Sequence, residues 1–239
     1  MNDGDVLTLP AEIVADPKQS SALGWSRRKA PVKVIHAINL HKALVIPVVI
    51  AFMLIYDNFS TPAFVYLALH GTYAILWLIK ESTYPDRRFE ETIPVFAGIL
   101  FVFVPLAAYF IAPYILIAQH IVPPPPVVGA SIFLTMFGIF LHYVSDAQKY
   151  YTLRQKKGLI TDGLFSRTRN PNYLGEILIY SGFALLSMHW LPFLILAGWV
   201  FGYFLRNMWH KDKSLSRYDG WEEYKKHSGL LLPKIFAHG

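Results

Sequence analysis

The chain contains no cysteine among its 239 residues. Disulfides, thiolate metal sites and cysteine nucleophiles are thereby excluded, and the redox compartment is left unread. No other metal site is expected. Charge is scarce: Asp, Glu, Lys and Arg make up only 16% of the residues, against about a quarter in ordinary soluble domains. The first forty residues have no apolar core followed by a small-residue cleavage site, so a removable signal peptide is not expected. The apolar runs lack the in-and-out alternation of a transmembrane β-barrel.

What the chain does contain is apolar length. Hydrophobic residues make up 54% of it, mean hydropathy is +0.36, and several runs approach the roughly 20 residues that a bilayer-spanning helix needs. The expected fold class is all-α: a polytopic integral membrane protein of about six transmembrane helices. The net charge of +6 and the pI near 9.4 are read as the cytoplasmic excess of Lys and Arg, with no nucleic-acid partner.

Residues 1–40 read as a cytoplasmic tail, with Pro10, Pro17 and Pro31 breaking any helix and a Trp25-Ser26-Arg27-Arg28-Lys29 patch suited to anionic headgroups. Residues 41–239 read as the membrane domain. Its spans are expected at about Ala43 to Tyr56, with His41 and Lys42 at the entrance, then Ala63 to Ile79 and Pro94 to Ile117, the last kinked by Pro105 and Pro113. A fourth, from about Val127 to Gln155, exceeds a hydrocarbon core of about 30 Å and should project into the cytoplasm. The fifth and sixth, about Asn172 to Ser187 and Leu191 to Arg206, are separated by so few residues that they must form an antiparallel hairpin.

The 22 Lys and Arg fall in the two terminal segments, the Lys80 to Arg88 loop and the Lys149 to Arg169 loop, and the alternate connectors have none. The positive-inside rule then puts both termini in the cytoplasm. A bacterial inner membrane and an endoplasmic reticulum both fit.

The polar chemistry concentrates in the C-terminal half, about residues 142–236. The turn from Gly163 to Glu176 carries Arg167, Arg169, Asn170, Asn172, Tyr173 and Glu176 straight into an apolar helix. Asn172 and Glu176 are four residues apart, hence on one face, and an ionisable group one turn inside such a helix points to use. The bland accounts are a salt bridge from Glu176 to Arg206 or a neutral structural hydrogen bond, and Asn172 as an N-cap. Lys149, Arg154, Arg169, His210 and neighbouring aromatic rings suit an anion bearing a planar heterocycle, such as a dinucleotide.

Gly163-Leu164-Phe165 followed by Arg169-Asn170-Pro171-Asn172-Tyr173-Leu174-Gly175-Glu176 resembles the C-terminal signature of the steroid 5α-reductase family, with its bacterial domain-of-unknown-function relatives and the sterol C14 reductases. The Arg-x-Pro-x-Tyr core is shared with isoprenylcysteine carboxyl methyltransferases and phospholipid methyltransferases. Tyr218, Trp221-Glu222-Glu223-Tyr224 and Leu232-Pro233 resemble the ending common to that superfamily.

The resemblance implies an NADPH-dependent oxidoreductase that reduces a conjugated double bond in a lipid or steroid-like enone, the apolar substrate arriving from the bilayer and the cofactor from the cytoplasmic face. Asn172 and Glu176 would hold the nicotinamide, beside Tyr173. Asp146, Arg154 and Arg169 would line the adenosine and phosphate end, and His210, Asp212 and Tyr218 would close the pocket. The Gln-Glu pair with which steroid 5α-reductases polarise the 3-keto group has no counterpart here, which leaves Tyr66, His70 or Tyr73 for that task and widens the substrate beyond steroids. The alternatives are an S-adenosylmethionine-dependent membrane methyltransferase and a non-enzymatic scaffold or sterol sensor.

Overall fold

The computed structural model describes residues 31–234. The Trp25 to Lys29 patch, the rest of the expected tail before residue 31, and Ile235-Phe236 lie outside the described residues. The chain is mainly helical, with α1 at Val34–Ile55, α2 at Thr61–Thr83, α3 at Val95–Ala118, α4 at Pro125–Gln155, α5 at Pro171–Leu186, α6 at Trp190–Leu215 and a short α7 at Trp221–His227. Five of these, α1 to α4 and α6, are long and apolar enough to cross a membrane. Helix α5 has 16 residues, too short to qualify by length alone.

Helix α1 starts nine residues earlier than the expected Ala43. His36, Asn39, His41 and Lys42 dilute the apolar run, but the bundle accommodates them: Asn39 accepts a hydrogen bond from Trp77 Nε1 at 3.1 Å, and His41 and Lys42 are buried. Lys42 is therefore a residue of the helix interior and not of its entrance. The N-terminal end of α1 is tied down by a two-residue antiparallel ladder between β1 (Val32–Lys33) and β2 (Thr92–Ile93), which draws the α2–α3 loop over that end of the bundle.

Pro125 and Pro126 form the first turn of α4, where their missing N–H groups are no loss. Pro105 and Pro113 leave α3 continuous, but a π-helical stretch at Gly98–Phe103 and a 3₁₀ stretch at Ala108–Phe110 adjust the ladder around them. A second π-helical stretch, Val200–Phe204, interrupts α6. The lower helix then runs on to Leu215 through the polar sequence after Arg206.

Helices α4 and α5 form the tightest seam. A Cβ on Gly175 would stand 2.6 Å from the Gly138 carbonyl oxygen, and one on Gly138 would meet the Gly175 oxygen at the same distance. Small residues let two backbones touch where no hydrophobic force separates protein from lipid. The shared interior is aromatic: Tyr66, Tyr73 and Phe183 are fully buried beside Val45, Val49 and Ile179. On the outside Phe133, Phe137 and Phe140 of α4 stand 66%, 46% and 51% exposed, an apolar surface that suits lipid rather than water.

Candidate functional site

Three α5 residues at four-residue spacing, Asn172, Glu176 and Tyr180, line a cavity of about 400 Å³, within the roughly 300–1,000 Å³ usual for small-molecule sites. The Gly138–Gly175 contact presses α5 against α4 and sets the direction of this stripe. His142 of α4 locks the register, its Nδ1 lying 3.2 Å from the Asn172 carbonyl oxygen. On the opposite walls stand Lys42 of α1, Trp77 of α2, Tyr109 of α3, and Trp199, Gly202, Arg206 and His210 of α6.

Charged groups cluster at one end of the cavity. Asp86, Arg88, Asp146, Arg206, Asn207 and His210 gather where the α2–α3 loop and the lower turns of α6 meet. Arg88 forks onto Asp86, Nη2 to Oδ2 at 2.6 Å. Burial alone would raise the Asp86 carboxyl, but the Arg88 guanidinium outweighs it and holds the group well below the usual carboxylate range. Asp146 faces the nearly buried Lys80 at 3.6 Å. Phe101 and Val102, from the π-helical stretch of α3, and Gly202 and Tyr203, from that of α6, supply apolar wall. Such stretches recur at functional sites because they re-aim side chains out of helical register.

Two polar atoms on this wall are buried without any hydrogen-bond partner: Asn172 Oδ1 and His142 Nε2. Native interiors seldom leave such atoms unpaired. His142 is otherwise tightly held, its ring stacked on Trp77 with centroids 6.0 Å apart. An acceptor and a ring nitrogen kept free on the wall of one cavity are what a hydrogen-bonding ligand requires.

The other expected site residues separate into groups. Asn172, Tyr173, Glu176, Asp146 and His210 share the cavity. Arg169 is nearby but fully engaged: Nε and Nη2 bind Asp212, the latter at 2.9 Å, and Nη1 donates to the Ser228 carbonyl oxygen at 2.6 Å. Asp212 is thus held by Arg169. Arg154 is exposed at the end of α4 and lies over the Tyr150 ring, while Tyr218 lies under the Arg217 guanidinium. Neither lines the cavity.

Tyr66 and His70 lie behind the wall, the Tyr66 hydroxyl 3.1 Å from His70 Nδ1. Tyr73 is equally buried and packs under Lys42. The N-cap is Asn170, not Asn172, and no ion pair joins Glu176 to Arg206 among the described residues.

Sequence reasoning passed over Lys42, Tyr109, His142, Tyr180 and the Asp86–Arg88 pair. For Lys42 the signal was available, since a lysine within a run as apolar as α1 is a functional pointer. Tyr109 and Tyr180 stack with ring centroids 3.8 Å apart, a meeting of distant helices that no local pattern announces.

A protein from Schizosaccharomyces pombe (strain 972), named "Uncharacterized protein C7D4.09c", is 48% identical over 42 residues. That match covers 18% of this chain and 15% of the yeast protein, so it speaks for one segment only. The broader match is to the family described as "Protein of unknown function (DUF1295)", over residues 72–227. That range includes the second half of α2, the Asp86–Arg88 loop, the whole α4–α5 seam and all of α6. Because it takes in well over half of the chain, the chain belongs to the DUF1295 family.

Proposed function

We propose that this protein is an integral membrane reductase that uses NADPH to saturate a conjugated double bond in a lipid or steroid-like enone. The observation that carries the proposal is the pairing of Asn172, with its unpartnered Oδ1, and Glu176 one turn away on the same cavity wall. A carboxamide presents one N–H₂ donor and one carbonyl acceptor. Asn172 Oδ1 and the Glu176 side chain would be the acceptors, and Asn172 Nδ2 the donor, for such a group. The resemblance of Arg169 to Glu176 to the reductase signature gives the same two residues this role.

When bound, NADPH supplies the hydride and the protein supplies placement and electrostatics. Asn172 and Glu176 orient the ring. The phosphates fall to Arg206, with His210 beside it, since Arg169 is committed to Asp212, Arg88 is forked onto Asp86 and Arg154 lies outside the cavity. The apolar wall between the two π-helical stretches excludes water and receives the hydrocarbon of the substrate, which enters from the bilayer between α3 and α6. Excluded water strengthens every charge interaction within.

Six membrane crossings with both termini on the cytoplasmic face complete the reading. Arg169, at the start of α5, touches Asp212, near the end of α6. Both ends therefore lie at one face of the bundle, and α5 traverses the same depth as its partner despite its length. The basic Lys149 to Arg169 loop and the basic tail after Arg206 then share a side, as the positive-inside rule requires.

Calorimetric titration of the detergent-purified protein tests the cofactor. NADPH is expected to bind and S-adenosylmethionine is not; the reverse would overturn the assignment in favour of a methyltransferase. Asn172→Ala and Glu176→Gln should each weaken NADPH binding about tenfold or more, as expected when a buried polar contact is lost. Full retention by both variants would remove the basis of the reading.

A further inference from the structure

Lys42 is an ionisable group on the cavity wall to which the reading above gives no task. It lies two turns inside α1, is 3% exposed, and forms no ion pair among the described residues. Its surroundings are aromatic: the ammonium sits 4.2 Å above the Tyr73 ring, 5.3 Å from that of Trp77 and 5.7 Å from that of Tyr180. Cation–π attraction offsets part of the cost of burying that charge. Its one hydrogen bond among the described residues goes from Nζ to the Tyr180 hydroxyl oxygen, at 3.1 Å.

The direction of that bond matters. An ammonium only donates, so it takes a lone pair of the phenol oxygen and leaves the phenol's own proton free for another acceptor. Tyr73 lies edge-on to Tyr180 with centroids 5.8 Å apart, and Tyr180 borders the cavity. The Tyr109 ring stacked on Tyr180 fixes the phenol's plane. An ammonium at this position would attract the negative charge that develops on the phenol oxygen as its proton leaves.

Tyr180 follows Glu176 by four residues, about 6 Å further along α5. A substrate carbon opposite a nicotinamide held at Asn172 and Glu176 therefore presents its conjugated carbonyl oxygen to Tyr180. We infer that Tyr180 is the catalytic acid for the substrate's carbonyl oxygen and that Lys42 is the positioning residue that equips it, which makes the substrate an α,β-unsaturated carbonyl compound with its oxygen pointing into the bundle. This rests on the reductase reading.

The step balances. NADPH, when bound, would supply the hydride for the new C–H bond at the β-carbon, and the double-bond electrons would move toward the carbonyl oxygen. The Tyr180 O–H bond breaks and its proton goes to that oxygen. Lys42 reprotonates the phenolate and recovers its proton from water at the polar end, and the enol relaxes to the saturated carbonyl by proton exchange at the α-carbon.

The test uses the full chain in detergent with oxidised NADP, which holds the site without turnover, and a long-chain α,β-unsaturated methyl ketone as probe. In the unaltered protein the probe's absorbance should shift to the red, because a hydrogen bond to the carbonyl polarises the conjugated system. Tyr180→Phe keeps the stacked ring and should retain NADP binding, abolish the red shift and slow single-turnover reduction by ~10²–10⁴-fold, the usual contribution of a general acid. Lys42→Met should diminish the shift, and Lys42→Arg should restore most of it, which a merely structural lysine would not do.

A Tyr180→Phe protein that keeps both the red shift and the turnover overturns the assignment and leaves the reductase reading standing. Unaltered protein that binds no dinucleotide defeats the reductase reading itself, and this inference with it. If Lys42→Met fails to fold, Tyr180→Phe alone decides.

Discussion

Arg169 holds Asp212 through two nitrogens and the Ser228 carbonyl oxygen through the third. The most conspicuous arginine of the α5 signature therefore fastens the C-terminal tail to the mouth of α5. Lys211 adds to the same junction, its Nζ donating to the Arg169 carbonyl oxygen at 2.7 Å and to Asn170 Oδ1 at 3.1 Å. Removing one partner of a buried, hydrogen-bonded ion pair typically costs 3–5 kcal/mol. Arg169→Ala should accordingly lower the thermal unfolding midpoint in detergent and expose the region after Ser216 to protease. Arg169→Lys should rescue little of this, since an ammonium cannot reproduce the fork. A stable Arg169→Ala protein that had lost only dinucleotide affinity would return the arginine to a phosphate role.

The approach of α4 to α5 leaves no room for a side chain. A Cβ on Gly175 would come within 2.6 Å of both the Gly138 oxygen and the His142 nitrogen, all backbone atoms that cannot swing aside. Gly175→Ala should cost about 1–3 kcal/mol through overpacking. It should also disturb ligand binding, because the same contact aims Asn172 and Glu176. Gly198→Ala is the control: its Cβ meets nothing within 4 Å and should leave stability unchanged or slightly raised. Thermal melts of the two variants side by side check the contrast.

Asp86 and Arg88 make the α2–α3 loop sensitive to acid. The Asp86 carboxyl titrates below its ordinary value in the folded protein, so its contribution is complete above the unfolded value of about 3.9 and is lost as pH falls through the folded value. The difference in unfolding free energy between the unaltered protein and Asp86→Asn should be constant from neutral pH down to about 5. It should then shrink in stronger acid. Its plateau should be about 2 kcal/mol, the scale of a hydrogen-bonded charged pair of this kind. A difference that did not depend on pH would show that the pair contributes nothing through its charge.

How much was legible in the sequence follows from which interactions are local. Long apolar runs, the α5–α6 hairpin and the Asn172–Glu176 spacing were readable because helix length and the four-residue period act within one segment. The start of α1 was misplaced because the polar residues of His36 to Lys42 count against a span until their partners are known. Those partners, Trp77 for Asn39 and Tyr180 for Lys42, lie 38 and 138 residues away. Arg169 shows the reverse case. Its motif was recognisable, but only the folded tail, which brings Asp212 and Ser228 to it, shows that its donors are already taken.

Gly202 gives the apolar wall a test that separates substrate entry from cofactor binding. It lies in the π-helical stretch of α6, borders the cavity, and has open space where a Cβ would stand. Gly202→Leu should therefore fold without strain, and replacing a helical glycine should stabilise the protein slightly, by up to about 1 kcal/mol. The added side chain would nevertheless occupy the gap between α3 and α6 through which hydrocarbon is proposed to enter. The expected result is an unchanged affinity for NADPH and a fall of about tenfold or more in kcat/KM for long-chain enones, on the scale by which pocket shape discriminates. Short, water-soluble enones should be affected least, because they can reach the site from the polar end. Equal losses for short and long substrates would place the substrate's entrance elsewhere.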